Sequence, residues 1–341
     1  MKQEVKFFSL FLICLLIFTF SGCKKNKTVS EPSDFSSVPE TSFSEPAQVS
    51  SEENEISSEI SVVESTVQSE PEVIVSSEIT IPTPPAPVTP PASVEIAPEF
   101  TVNDPENTRG LSEKSMGYGH GQQTAMDNQT RFNSMSGVDA LAIDTVSQEK
   151  RVYLTFDCGY EYNNLTASIL DALKEKNVKA AFFCTLSYIK QNPNLVWRMI
   201  NEGHIVGNHS ATHPVFPTIT RTKMAKELYD VHKYLQENFG YTPKYFRFPT
   251  GAYSHSSLEL VTSVGYKSIF WSFAYKDWET ANQPDINYAF EKIKGGFYNG
   301  SVLLLHAVSQ TNTTLLPQII DYGISQGYSF ATLDDYSSIV L

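Results

Sequence analysis

The hydrophobic pattern divides the chain at about residue 150. Beyond it, short apolar runs rich in β-branched and aromatic residues alternate with stretches whose apolar positions recur every three or four residues. Strands are predicted at 152–157, 179–184, 204–208, 245–248, 268–273, 301–305 and 329–333. Helices are predicted from an Asn163/Asn164 cap through Leu165, Ile169 and Leu173 to Lys176, and from Pro193 to Gly203, with Leu195, Met199 and Ile200 on one face. A longer one runs from a Thr220 cap through Met224, Leu228, Val231 and Leu235 to Gly240, and three more lie near 256–263, 285–294 and 314–325. Strands alternating with helices call for a parallel sheet with right-handed crossovers. About seven such units predict an α/β fold, an incomplete parallel β/α barrel, in which functional groups gather at the carboxyl ends of the strands.

Upstream the pattern dissolves. Residues 102–149 mix polar residues and glycines with scattered apolars such as Met116, Tyr118, Phe132 and Leu141, and read as an N-terminal arm packing on the domain at 150–341. Residues 24–101 are Ser, Glu, Pro, Thr and Val with scarcely an aromatic, and cannot bury enough apolar surface to offset their ordering entropy. They read as a disordered tether, with a typical end-to-end distance of roughly 50 Å. Residues 1–23 have a basic start, an apolar run from Phe7 to Phe20 that is short for a membrane span, and Ser21-Gly22-Cys23. That ending resembles a lipobox, which implies a signal peptide, a lipidated Cys23 as membrane anchor, and an exported domain facing the cell wall. Phe20 departs from the usual aliphatic residue, so a retained signal anchor is the alternative.

Charge then changes the picture little. Residues 24–100 carry 14 acids and 3 lysines, most of the net −13, which leaves the folded part near neutral. The acidity belongs to a solvated stalk, no basic stripe suggests nucleic acid, and no protein partner is evident. Of four cysteines, Cys158 and Cys184 fall in the domain. Two cysteines in an exported chain invite a disulfide, but at strand ends they pair only if neighbouring strands also agree in register.

The candidate chemistry sits at the predicted strand ends. The run Val152-Tyr153-Leu154-Thr155-Phe156 delivers Asp157 and Cys158, the third strand leads to His209 and His213, the fourth to Arg247, the fifth to Asp277-Trp278, and the sixth to His306. A histidine at a strand end is most often a hydrogen-bonded turn residue, but six polar groups on one rim make coincidence a poor account. His204, His232 and His255 are assigned no chemistry, and His120 is a loop residue within conceivable reach of the groove.

Thr155-Phe156-Asp157-Cys158-Gly159, His209-Ser210-Ala211-Thr212-His213-Pro214, Arg247-Phe248-Pro249-Thr250-Gly251, Asp277-Trp278 and Leu303-Leu304-Leu305-His306 resemble the five ordered motifs of the polysaccharide deacetylases, the NodB-homology or carbohydrate esterase family 4 domain. Within it, Gly159-Tyr160-Glu161, the run from Phe270 to Trp278 and Leu305-His306-Ala307-Val308-Ser309 look most like the branch that de-N-acetylates muramic acid on the way to muramic δ-lactam.

The resemblance implies a hydrolase of amide bonds acting on peptidoglycan glycan strands. It implies Asp157 as general base, Arg247 orienting it, His306 as general acid with Asp277 as its partner, and His209 and His213 holding a divalent metal. It also implies a substrate side formed by Glu161, Thr250 and Trp278, with Trp271 either a sugar-facing wall or a core aromatic. Glu161 has the further option of capping the next helix. Two departures stand out: the family's metal-binding Asp is Cys158 here, and its first Asp of the fourth motif falls at Ala274. A thiolate with two imidazoles would make a zinc set; otherwise Cys158 is a packed thiol and the histidines hold a weaker metal or none. The rival functions are a deacetylase of another N-acetylglucosamine polymer or of acetyl-xylan, and a non-catalytic peptidoglycan-binding lipoprotein.

Overall fold

The computed structural model describes residues 96–340, with side chains to 336. The expected signal, the lipid attachment at Cys23 and nearly all of the tether lie outside those residues. Among the described residues the architecture is an eight-stranded, all-parallel sheet curled into an incomplete barrel. In chain order its strands are β1 (Ala140–Leu141), β2 (Arg151–Cys158), β3 (Ala181–Cys184), β4 (Ile205–Asn208), β5 (Tyr245–Phe246), β6 (Lys267–Ile269), β7 (Ser301–His306) and β8 (Ser329–Phe330), and they lie in the order β1-β6-β5-β4-β3-β2-β7 with β8 beside the start of β2.

Strand β2 (Arg151–Cys158) is the axis of the fold. It is buried along nearly its whole length, as a parallel strand covered on both faces must be, and it pairs with β3 (Ala181–Cys184) and β7 (Ser301–His306). Its side chains alternate. Leu154, Phe156 and Cys158 enter the apolar layer beneath the outer helices, whereas Tyr153 points into the barrel interior with Phe183, Ile205 and Val302. Asp157 shares the parity of Tyr153 and so emerges at the rim.

Helices α2 (Leu165–Glu175), α4 (Pro193–Asn201), α5 (Arg221–Phe239), α6 (His255–Ser263), α7 (Ile286–Lys294) and α8 (Gln310–Ser325) fall where the periodicity puts them. Thr220 caps α5 through its side chain, and Gly240 ends it in the left-handed conformation that glycine adopts without strain. Three helices were not legible: α1 (Gln122–Ser134), α3 (Leu186–Gln191) and α9 (Leu333–Val340). The buried face of α1 is Ala125, Asn128, Gln129 and Phe132, half of it amide. Gln129 donates to the carbonyl of Ala140 and accepts from the N–H of Ala142, so a polar side chain fills a core-facing position and erases the apolar period.

Those two bonds hold β1 (Ala140–Leu141), which pairs with β6 (Lys267–Ile269) beyond β5 (Tyr245–Phe246) and β4 (Ile205–Asn208) and adds an eighth strand to the seven expected. A two-residue strand has no periodicity to read. Strands β5, β6 and β8 (Ser329–Phe330) are also shorter than predicted. After β6 the chain changes partner: Phe270 donates to Leu141, then Ser272 and Phe273 donate to Val302 across the seam. A single bridge, Phe273 to Leu303, spans the gap between β6 and β7 without closing it into a ladder. Residues 104–109 are fastened by charge. Buried Arg221 and half-exposed Arg109 each bond one oxygen of Glu259, at 2.6 and 2.7 Å, and both also reach Asp104.

Candidate active site

Asp157 stands in register with His306 on the adjacent strand, so the two ends of the chemistry are neighbours by sheet geometry alone. Arg247, fully buried after β5, donates to Asp157 Oδ1 at 2.8 Å and to the carbonyls of Ile269 and Phe270, while its guanidinium lies 4.1 Å over the Phe183 ring. It therefore fixes one oxygen of Asp157 and leaves the other facing the groove. Burial pushes the Asp157 carboxyl up, but the Arg247 guanidinium, with smaller help from the His209 and His306 rings, outweighs it and holds it below the usual carboxylate range. It is ionised at neutral pH and placed to take a proton.

His209 and His213 reach the same pocket because the loop after β4 bends sharply. Ser210 and His213 both have left-handed backbone, φ 68° and 58°, a conformation that costs energy without glycine and needs external support. The support is visible: Ser210 N–H donates to Asn208, His213 N–H to Ser210 Oγ, and Thr212 to Glu227 through both its N–H and its hydroxyl, each at 2.7 Å. Glu227, on α5, was not foreseen; a buried acid within a helix is a signal, but its partner fifteen residues away is not.

Whether these residues suit a divalent ion is decided by His209. Its Nδ1 lies 2.9 Å from the Arg247 carbonyl and must donate there, which leaves Nε2 as a lone pair 3.6 Å from Asp157 Oδ2. Burial pulls this imidazole down to about 4, against the pull of Asp157, so at neutral pH no proton sits between the two acceptors. Two acceptors facing each other call for a cation, and the His213 ring, 4.9 Å away, adds a second nitrogen. The donors fit a divalent metal held by His209 and His213, which when bound would act as a Lewis acid on water or carbonyl oxygen. Among the described residues, no cluster of three or more His, Cys, Asp or Glu closes into a full ligand cage.

Cys158 does not join them. Of the two readings left open for it, the structure favours the packed thiol: it is turned to the other face of β2, packed among Phe156, Ile169 and Tyr188, and burial pushes its thiol well up, so it is protonated. Strand alternation is the reason: neighbours in sequence face opposite sides. Its register partner is Cys184, so the strand register agrees, and both thiols are free. Glu161 also departs from the substrate-side expectation. Its carboxylate accepts from Thr166 N–H and Oγ and from the Tyr188 hydroxyl, supplying the cap that Asn164 does not give α2.

On the opposite wall, His306 Nδ1 donates to Asp277 Oδ1 at 2.7 Å and its N–H donates to Oδ2 at 2.9 Å. Burial disfavours the imidazolium, yet the buried Asp277 charge prevails and raises His306 above its ordinary value. Asn312, buried on α8, donates to Asp277 Oδ2 at 2.5 Å, and the Tyr275 hydroxyl donates to Asn312 Oδ1. Neither was anticipated: Asn312 lies outside the motif runs, and Tyr275, though inside the run from Phe270 to Trp278, had been given no role.

The groove has two arms meeting at Asp157, His209, His213 and His306. One, of about 630 Å³, runs past Tyr160, Thr185 and Ser187; the other, of about 640 Å³, runs past His120, Thr250, Trp271 and Lys276. Trp278 lines both, 47 % exposed, with its ring 5.3 Å from that of His306. Trp271 is nearly buried, yet lines the second arm while resting on Gly251. A β-carbon at Gly251 would come within 2.6 Å of that indole, so only glycine fits there. His120 comes to this wall from the arm because Tyr118 is anchored by its hydroxyl to the Trp271 carbonyl and stacked 4.5 Å from Phe270.

The model of the polysaccharide deacetylase family matches residues 144–269. The peptidoglycan-N-acetylmuramic acid deacetylase PdaA of Bacillus subtilis is 39 % identical over 190 residues, which cover 55 % of this chain and 72 % of that protein. The chain belongs to the polysaccharide deacetylase family. The solved structure of PdaA, a family 4 carbohydrate esterase, aligns with a TM-score of 0.61 at 32 % identity, covering 68 % of this chain and all of that one. The peptidoglycan-N-acetylglucosamine deacetylase PgdA of Listeria monocytogenes is 33 % identical over 200 residues, 59 % of this chain and 41 % of that protein. This deacetylase is thus a hydrolase of amide bonds, and its fold is the distorted NodB barrel.

Proposed function

We propose that this deacetylase removes the N-acetyl group from muramic acid residues of peptidoglycan, on the route to muramic δ-lactam. The observation that carries the reading is the base and acid facing each other across one groove, Asp157 held by Arg247 and His306 held by Asp277. Asp157 Oδ2 takes a proton from the attacking water while Oδ1 stays on Arg247. The water oxygen adds to the acetamide carbonyl, and Thr250, in its left-handed turn on the groove wall, borders the developing oxyanion. His306 gives its proton to the amide nitrogen as the carbon–nitrogen bond breaks, so acetate and a free amine leave. The sugar ring packs on exposed Trp278, with Trp271 as the floor beneath.

The similarity to PdaA supports muramic acid as the sugar; the lower similarity to PgdA supports N-acetylglucosamine as the second reading. In the same proposal, Cys23 carries a lipid anchor, residues 24–101 serve as a tether, residues 102–149 are an arm of the catalytic domain at 150–341, and the domain works on the wall outside the membrane. The test is acetate release from peptidoglycan, native and stripped of stem peptides by an amidase, beside chitin oligomers and acetyl-xylan. Release from stripped peptidoglycan supports the proposal; release from chitin oligomers alone would replace the sugar. Binding without release from any of them would leave a wall-binding module.

A further inference from the structure

Beyond the catalytic groups the second arm does not end. It continues into a cavity of about 560 Å³, and the two share His120, Ala274, Tyr275 and Lys276 on their common wall. The charged side chains lining this extension are Lys276 and Lys292, against Glu291, whose carboxylate is already bonded to Lys294 at 2.7 Å. Lys292 Nζ sits 5.4 Å over the Tyr288 ring. At the junction itself Ala274 offers only a methyl group, so no acid repels an anion there. The opposite arm presents Tyr160, Thr185, Ser187 and Val308, none of them cationic. An anionic substituent on a sugar bound between Asp157 and His306 therefore meets positive charge in one direction.

We propose that Lys276, with Lys292 behind it, forms a carboxylate subsite that selects the sugar by its lactyl group; this rests on the muramic reading above. N-acetylmuramic acid differs from N-acetylglucosamine by a lactyl ether on the ring carbon next to the one bearing the acetamide. With the acetamide at the catalytic groups, the ether enters the same groove. Lys276 directly precedes Asp277 in the chain, and its exposed ammonium is held by half-buried Glu279 at 2.6 Å. A partly exposed pair of this kind exchanges readily for another carboxylate. An attached stem peptide turns the lactyl carboxylate into an amide and removes the charge that Lys276 recognises. The subsite thus favours stem-free glycan.

Binding is measured by calorimetry in an Asp157→Asn background, which prevents turnover, with Lys276→Glu and Glu279→Gln added separately. The probes are stem-free glycan, the same glycan with its lactyl carboxylates amidated, chitin oligomers and stem-bearing glycan. Lys276→Glu is expected to weaken stem-free glycan about tenfold while leaving amidated glycan and chitin oligomers within about twofold, and Glu279→Gln to tighten stem-free glycan a few-fold. Equal effects on all four probes, or none, overturn the subsite. A loss confined to stem-bearing glycan also overturns the lactyl assignment, since the recognised carboxylate would then be the peptide's. Acetate release by the unmodified enzyme separates the two readings. If it acts only on chitin oligomers while free-acid binding still depends on Lys276, the muramic reading fails and the subsite stands.

Discussion

Replacing Asp277 by Asn tests the acid half of the site. The carboxylate is fully buried and accepts three hydrogen bonds, two from His306 and one from Asn312. Asn keeps the shape and one acceptor for the imidazole but removes the charge. A unit charge about 4 Å from the imidazolium centre, at an effective dielectric of about 20, is worth about 4 kcal/mol, an upper bound of about 3 pKa units. Burial, which Asp277 now overcomes, is then opposed only by the charge of Asp157, itself countered by Arg247, and His306 falls from its raised value. The acid must be protonated, so rate is lost as pH rises through the His306 pKa, and the basic limb of kcat/KM should move down by about 2 units in Asp277→Asn. At pH 7 the loss should be about a hundredfold, recovering partly toward pH 5. Asn312→Ala keeps the charge and loosens its hold, so it should lower kcat while moving the limb much less. Acetate release followed across pH 5–9 measures both. A basic limb that stays in place in Asp277→Asn, with activity within about threefold of the parent, would refute the assignment of His306 as the acid.

Asp157→Asn should cost two to four powers of ten in kcat, about the value of a positioned base, with glycan binding retained by calorimetry. Asp157 itself should contribute its acid limb below the usual carboxylate range, because it is held down and takes up a proton only as pH falls through its lowered pKa. Cys158→Ala should leave the metal response of acetate release unchanged, and should lower stability by about 1 kcal/mol in urea unfolding, the scale of a small buried void. A variant that loses zinc dependence would return the thiol to the ligand set. Glu259→Ala should destabilise the domain by about 3–5 kcal/mol, because it strips buried Arg221 of its partner. The Glu259 carboxyl, which burial raises, is held low by the two arginines, so its contribution is present above the ordinary carboxylate pKa and fades as pH falls through the lowered one. The parent and the variant should therefore converge in stability under strong acid.

What the sequence determined by itself was whatever depends on neighbours along the chain. Apolar runs ending in Asp157, His209, Arg247 and His306 placed those groups at strand ends, and a parallel sheet brings such ends to one rim. The caps at Thr220 and Gly240 bounded α5 for the same local reason. Tertiary structure decided which side of a strand end faces the groove, and that separates Asp157 from Cys158, one residue apart on opposite faces. It decided that Glu161 turns to Thr166 and Tyr188 instead of the groove, since a carboxylate at a loop start takes the nearest unsatisfied donors once a helix forms beside it. It also decided the supports that no period marks: Gln129 filling a core position by hydrogen bonding, Glu227 bracing the histidine loop, and Asn312 and Tyr275 behind Asp277. Each joins groups far apart in sequence or buries a polar atom where only an apolar one would have left a pattern. Such pairings have no signature until the chain has folded and the energetic demand of a buried donor or acceptor selects its partner.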